Sequence, residues 1–160
     1  MLSVEALMQA PQFAGLDRNA VERLWALGKV VQCRAGVEIF SRGHEASELL
    51  IIESGRVDLL FPLQVLGATK EVVVEHLGPG DVLGWSALIN PYVLTLSARC
   101  VEACTMRAFA RAALRAYLKE HPGVGHIMME NLAALVGHRL HHFQDLMIRE
   151  VQTRIVGLFG

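Results

Sequence analysis

A chain of 160 residues with a formal charge of −1 is one domain's worth, able to bury about two-thirds of its unfolded surface without staples. Its 15 basic against 16 acidic residues argue against a domain that grips nucleic acid by itself, which would be distinctly basic. Apolar residues reach 52%, yet no run approaches the ~20 apolar residues of a spanning helix, so no membrane partner is expected. The opening MLSVEALMQA has no basic residue before its apolar positions and does not resemble a secretory leader. Three cysteines, an odd number, argue against a disulfide framework and for a reducing cytoplasm. The surplus of apolar residues points to a subunit interface.

In chain order, the first ~30 residues predict short helices. Phe13, Leu16, Val21, Leu24, Trp25 and Leu27 recur at helical spacing, Asp17 is placed to cap the segment, and Gly28 to stop it. From Val30 the rhythm becomes short β-type runs. Turns are expected at Gly36, Gly43, Gly55, Gly67 and Gly78-Pro79-Gly80. Near-regular strands with glycine turns predict an all-β sandwich or barrel. After Phe109 the helical period returns, with a short helix over 110–120, a stop at His121-Pro122-Gly123, and a long helix from Val124 to at least Glu150. The long helix is apolar over more than the ~100° stripe that docks a helix on its own core. Leu132, Leu135, Val136, Leu140 and Phe143 are the expected contacts of a helix-to-helix homodimer, which would offset the ~1 kcal/mol helix cost of Gly137.

Particular residues narrow the fold. The segment IFSRGHEASELLIIESGRVDLL and the run VEHLGPGDVLGWSAL resemble the signature and the phosphate-binding cassette of the cyclic-nucleotide-binding domains of the CRP/FNR (catabolite activator) superfamily. FAGLDRNAVERL is similar to that family's N-terminal helix. The resemblance implies a mainly β jelly roll (double-stranded β-helix) of about eight strands, with short N-terminal helices and a long C-terminal dimerisation helix. It implies a barrel domain with flanking helices over 1–123, the dimer helix over 124–150, and the start of a DNA-binding domain over 151–160. DNA would then be reached only through a domain beyond this chain.

In relatives that bind cyclic nucleotides, a glutamate just after the cassette glycine takes the ribose hydroxyl and an arginine across the loop neutralises the phosphate. Here the glutamate position holds Trp85, and the arginine position falls at or beside Tyr92. Two lost charge-assisted hydrogen bonds, at ~1.5–3 kcal/mol each, weaken binding by about a hundredfold to tens of thousandfold. Ordinary cyclic AMP binding is therefore not expected. Gly84, Trp85, Ser86, Ala87, Tyr92, Thr95 and Ser97 remain as a seat for a planar, less charged small-molecule effector, or as a pocket filled by its own Trp85 and Tyr92.

Other constellations take blander readings. His138 and His142 share a helical face, but no third metal ligand stands at a recognisable spacing. A solvated or interface-lining cluster with His141 is expected instead. Cys100 and Cys104, with Cys33 elsewhere, suit small buried thiols of a β core better than a redox or haem site. No His-x-His pair, GxSxG or Walker loop occurs, so no enzyme is expected and no cofactor is implied. The leading expectation is an effector-sensing, dimerising regulatory domain of a transcription regulator. A ligand-free scaffold or protein-interaction module is the alternative.

Overall fold

The computed structural model describes residues 2–159, without the side chains of Val65, Arg154, Leu158 and Phe159. The chain opens with α1 (Val4–Gln9), a 3-10 turn at Pro11–Phe13, and α2 (Arg18–Ala26). Asp17 caps α2 as predicted, its carboxylate accepting the Ala20 N–H at 2.8 Å. Gly28 stands just past the end of α2, as expected, and it also serves packing. The C-cap is Leu27, and a Cβ at Gly28 would lie 2.4 Å from the Arg107 side chain and 2.8 Å from the Phe109 ring.

Eight strands follow: β1 (Lys29–Cys33), β2 (Glu38–Phe40), β3 (Glu48–Ser54), β4 (Val57–Val65), β5 (Ala68–Leu77), β6 (Val82–Leu83), β7 (Ser97–Cys100) and β8 (Cys104–Ala110). They pair antiparallel in two four-stranded sheets, ordered β1-β8-β3-β6 and β2-β7-β4-β5. The glycine-punctuated runs predict a sandwich or barrel, and this is the jelly roll that the resemblance implies. Gly55 at the β3–β4 turn shows why glycine is required there. Its φ is +92°, and a Cβ would meet the Ala103 carbonyl at 2.6 Å.

Strand β3 reads as a continuous apolar run because it is covered on both faces. Successive side chains point to opposite sides. Leu50 and Ile52 enter the barrel interior with Val57, Leu59, Leu83 and Met106. Leu49 and Ile51 enter an outer cluster with Phe13, Val21, Leu24, Phe109 and Leu132. Glu53, 5% exposed, is tolerated because Arg107 donates to it at 2.9 Å. Arg107 in turn lies 4.7 Å over the Trp25 ring, so neither charge is buried alone.

Helix α3 (Arg111–Glu120) ends at His121, and α4 runs from Pro122 to Phe159. Proline suits the first helical position, where its missing N–H costs nothing. The long helix therefore starts earlier than the sequence suggests. It also runs further. Val151 onward continues α4 as far as Phe159. The segment VQTRI has no proline or glycine to break a helix already propagating. Among the described residues no helix is long and apolar enough to cross a membrane.

Candidate functional site

The cassette begins at Gly84, whose φ of +70° and 2.6 Å separation between an added Cβ and the Glu48 carbonyl exclude a side chain. The chain then makes a 3-10 turn over Trp85–Leu88. Gly84, Trp85 and Ser86 line a cavity of ≈ 20 Å³, closed by Phe40, Thr95, Leu96 and, from α4, Arg139. That volume holds about one water, whereas clefts for small organic ligands span roughly 300–1,000 Å³.

The seven predicted seat residues separate into two groups. Gly84, Trp85, Ser86 and Thr95 meet at the cavity. Ala87 does not: it is fully buried in the outer core, on the opposite side of the short turn. Ser97 is 5% exposed and its hydroxyl accepts the Arg42 N–H at 2.9 Å, pinning the loop after β2. Tyr92 lies away from the cavity. Its ring sits between Arg111, at 4.9 Å, and Arg115, at 5.2 Å, and its hydroxyl accepts from Arg115. The residues facing the cassette across the cavity are Thr95 and Leu96, three and four positions past Tyr92. A variable loop carries no periodicity from which that offset can be read.

Arg139 is the residue that sequence reasoning missed. Its side chain is 11% exposed, with Nε 3.0 Å from a Glu75 carboxylate oxygen. An Nη donates to the Val82 carbonyl at 2.5 Å. The Nε–H is nevertheless buried without a hydrogen-bonded acceptor, because the ion pair is not aligned along its bond direction. Burial presses the guanidinium below its ordinary pKa, opposed by attraction to Glu75 and Asp81. An arginine remains charged under such pressure. The cavity is thus lined by a desolvated cation paired with Glu75, where the sequence suggests no charge at all. A signal was present: Met128, Leu132, Leu135, Arg139 and Phe143 fall three and four apart, on one helical face.

Phe143, one turn beyond, packs its ring 6.0 Å from that of Phe61. Arg42 lies 4.7 Å over the other partner, Phe61, and donates from Nε to the Thr95 carbonyl at 3.1 Å. A chain of contacts therefore links α4, β4, the loop after β2 and the bend at Thr95 that leads into β7.

The expected dimer residues are likewise divided. Leu132 is 5% exposed in the chain's own core, and Leu135 and Val136 pack against that core in part. Leu140 is 54% exposed. The face left open on α4 continues through Met147, Ile148, Val151 and Ile155, positions beyond those singled out from the sequence. His138, His141 and His142 are exposed on the same helix.

Known proteins match this arrangement. Residues 30–121 match the family described as cyclic nucleotide-binding domain. The chain is 24% identical over 151 residues to the CRP-like cAMP-activated global transcriptional regulator of Mycobacterium tuberculosis, covering 94% of this chain and 66% of that protein. It is 30% identical over 131 residues to the cyclic AMP receptor protein of Thermus thermophilus, covering 82% and 57%. The chain thus spans less than two-thirds of the length of these relatives. The crystal structure of the Thermus thermophilus catabolite activator protein superposes with a TM-score of 0.72 at 28% identity, over 89% of this chain and 63% of that one. A cyclic nucleotide-binding domain from Methylobacillus flagellatus superposes at 0.79 with 16% identity, over 92% and 83%.

Proposed function

The chain belongs to the cyclic nucleotide-binding domain family of CRP-like proteins, and from that premise we propose that it is the effector-sensing, dimerising part of a cytoplasmic transcription regulator. DNA contact would belong to the portion of such a regulator that lies outside this chain. One observation carries the reading: α4 places a buried guanidinium, held by Glu75 and the Val82 carbonyl, in the wall of the cassette cavity. A ligand that supplies an acceptor to Arg139 competes with Glu75 and the Val82 carbonyl, and so favours a different seating of α4. Moving a two-state equilibrium from 1:99 to 99:1 takes about 5.5 kcal/mol of differential binding. Roughly two to four charge-assisted hydrogen bonds made in one helix arrangement only would supply it. The effector is expected to be a small molecule with an anionic or carbonyl acceptor, and not ordinary cyclic AMP, because Trp85 stands where relatives place the ribose-binding glutamate.

The ≈ 20 Å³ cavity favours a second reading, a ligand-free scaffold that only presents α4 to a partner. Thermal unfolding with cyclic AMP, cyclic GMP and a panel of small organic phosphates and carboxylates separates the two. Ligand at a hundred times its dissociation constant adds about 2.7 kcal/mol, a shift of a few degrees. The effector reading expects such a shift from a panel member, lost in Arg139→Ala. A shift with cyclic AMP would overturn the selectivity argument, and no shift with any member would leave the scaffold.

A further inference from the structure

The three cysteines stand on different strands. Cys33 ends β1, Cys100 ends β7 and Cys104 opens β8. The fold gathers them at one end of the barrel, away from the long helix. Cys33 and Cys104 are direct cross-strand partners, so their side chains leave the sheet on the same face. Both belong to the interior cluster that also holds Cys100, which arrives from the opposite sheet.

The three thiols are free but not equivalent. Cys100 is 1% exposed. Burial, followed by hydrogen-bond contact with the Cys33 and Cys104 thiols, pushes its thiol far above the ordinary range. Such a thiol is inert. Cys104 is buried, and its S–H is held at the sheet end by the carbonyls of Arg56, at 3.2 Å, and Glu102, at 3.1 Å. Cys33 is half-buried and lines a solvent-open cavity of ≈ 290 Å³ with Phe40, Leu50, Leu94 and Met106. A small oxidant can reach it there. Directly paired antiparallel residues hold their Cα atoms about 4.5–5.5 Å apart, inside the ~4.4–6.8 Å window of disulfides. Their opposed Cβ atoms, about 4.5–5.5 Å apart, need to draw in by roughly 1 Å to join.

We propose that Cys33 and Cys104 are a thiol pair that hydroperoxides convert to a reversible disulfide, with Cys33 as the reacting sulfur and Cys104 as the resolving one. The Cys33 sulfur attacks a peroxide oxygen. An S–O bond forms, the O–O bond breaks, and the departing oxygen takes the proton given up by the thiol, leaving a sulfenic acid and water or an alcohol. The Cys104 sulfur then attacks the Cys33 sulfur. The S–S bond forms, the S–O bond breaks, and the hydroxyl leaves with the Cys104 proton as water. In sum, two thiols lose two electrons and two protons, and one hydroperoxide is reduced. Phe40 and Leu94 line both the Cys33 cavity and the cassette cavity, so the cross-link acts on a wall that the two spaces share.

The test uses the whole chain, reduced, freed of reductant and exposed to a few-fold excess of hydrogen peroxide. The protein is then denatured, alkylated with N-ethylmaleimide and weighed. The expected result is one alkylated thiol, against three in the reduced control, with peptide mapping that joins Cys33 to Cys104 and dithiothreitol restoring all three. Cys33→Ser is expected to show no linkage, and Cys100→Ser to keep it. Three alkylated thiols after peroxide would overturn the proposal. So would a sulfinic or sulfonic acid at Cys33 without a linkage, or a linkage to Cys100. Mapping of the unsubstituted chain decides the matter even if a variant fails to fold.

Discussion

The two halves of α4 form one uninterrupted helix yet answer to different partners. In the first half Met128 is 7% and Leu132 5% exposed, both sealed in the chain's own core. In the second half Leu140, Ile148, Val151 and Val156 are 54%, 53%, 50% and 71% exposed. The side chains are of the same kind. The difference is length: 38 residues extend about 57 Å, well past the ~30 Å width of a small domain. Apolar residues that overshoot the barrel are left uncovered by the other described residues. Hydrophobicity along a helix thus tells how much surface seeks cover, and only the barrel's size tells how much of it is covered from within. Arg139 and Phe143 stand at the boundary between the two regimes.

The sharpest way to break this comparison is to truncate one residue in each half. Leu132→Ala should lose about 2–4 kcal/mol of stability through cavity formation, read from urea unfolding, whereas Leu140→Ala at a protein concentration that keeps the chain monomeric should stay within ~0.5 kcal/mol. Equal losses would mean that the halves do not differ. The next effect concerns the open face. Ile148→Glu combined with Ile155→Glu should abolish the proposed dimer, raising its dissociation constant more than tenfold in sedimentation equilibrium and leaving the barrel's unfolding unchanged. A chain that sediments as a monomer without these substitutions would remove the dimer from the proposal. The smallest effect belongs to the boundary. Phe143→Ala should cost about 1 kcal/mol by losing its ring contact with Phe61, with the loss appearing as faster amide exchange in the distal half of α4.

Much of the fold was legible because it rests on local rules. Asp17 caps α2, the turn glycines separate the strands, and the period of the pattern changes at Val30 and again after Phe109. The site was legible only where a backbone constraint marks it. Gly84 could be placed through the cassette resemblance, and its φ and close approach to Glu48 are the constraint behind that motif. Tyr92 was expected at the seat and lies outside the cavity, and the loop from Asn90 to Leu96 has no repeating pattern to set its register against the cassette.

By itself the sequence determined the architecture, the short cassette turn and the long apolar helix, because turn chemistry and side-chain periodicity act between near neighbours. Tertiary structure alone decided that Arg139 enters the cassette cavity, that Leu132 belongs to the core rather than the open face, and that three scattered cysteines share one end of the barrel. These depend on which residues far apart in the chain are brought within a few ångströms. Strand order and helix docking set that proximity, and burial then determines whether a charge, a methyl group or a thiol found there is paired, packed or reactive.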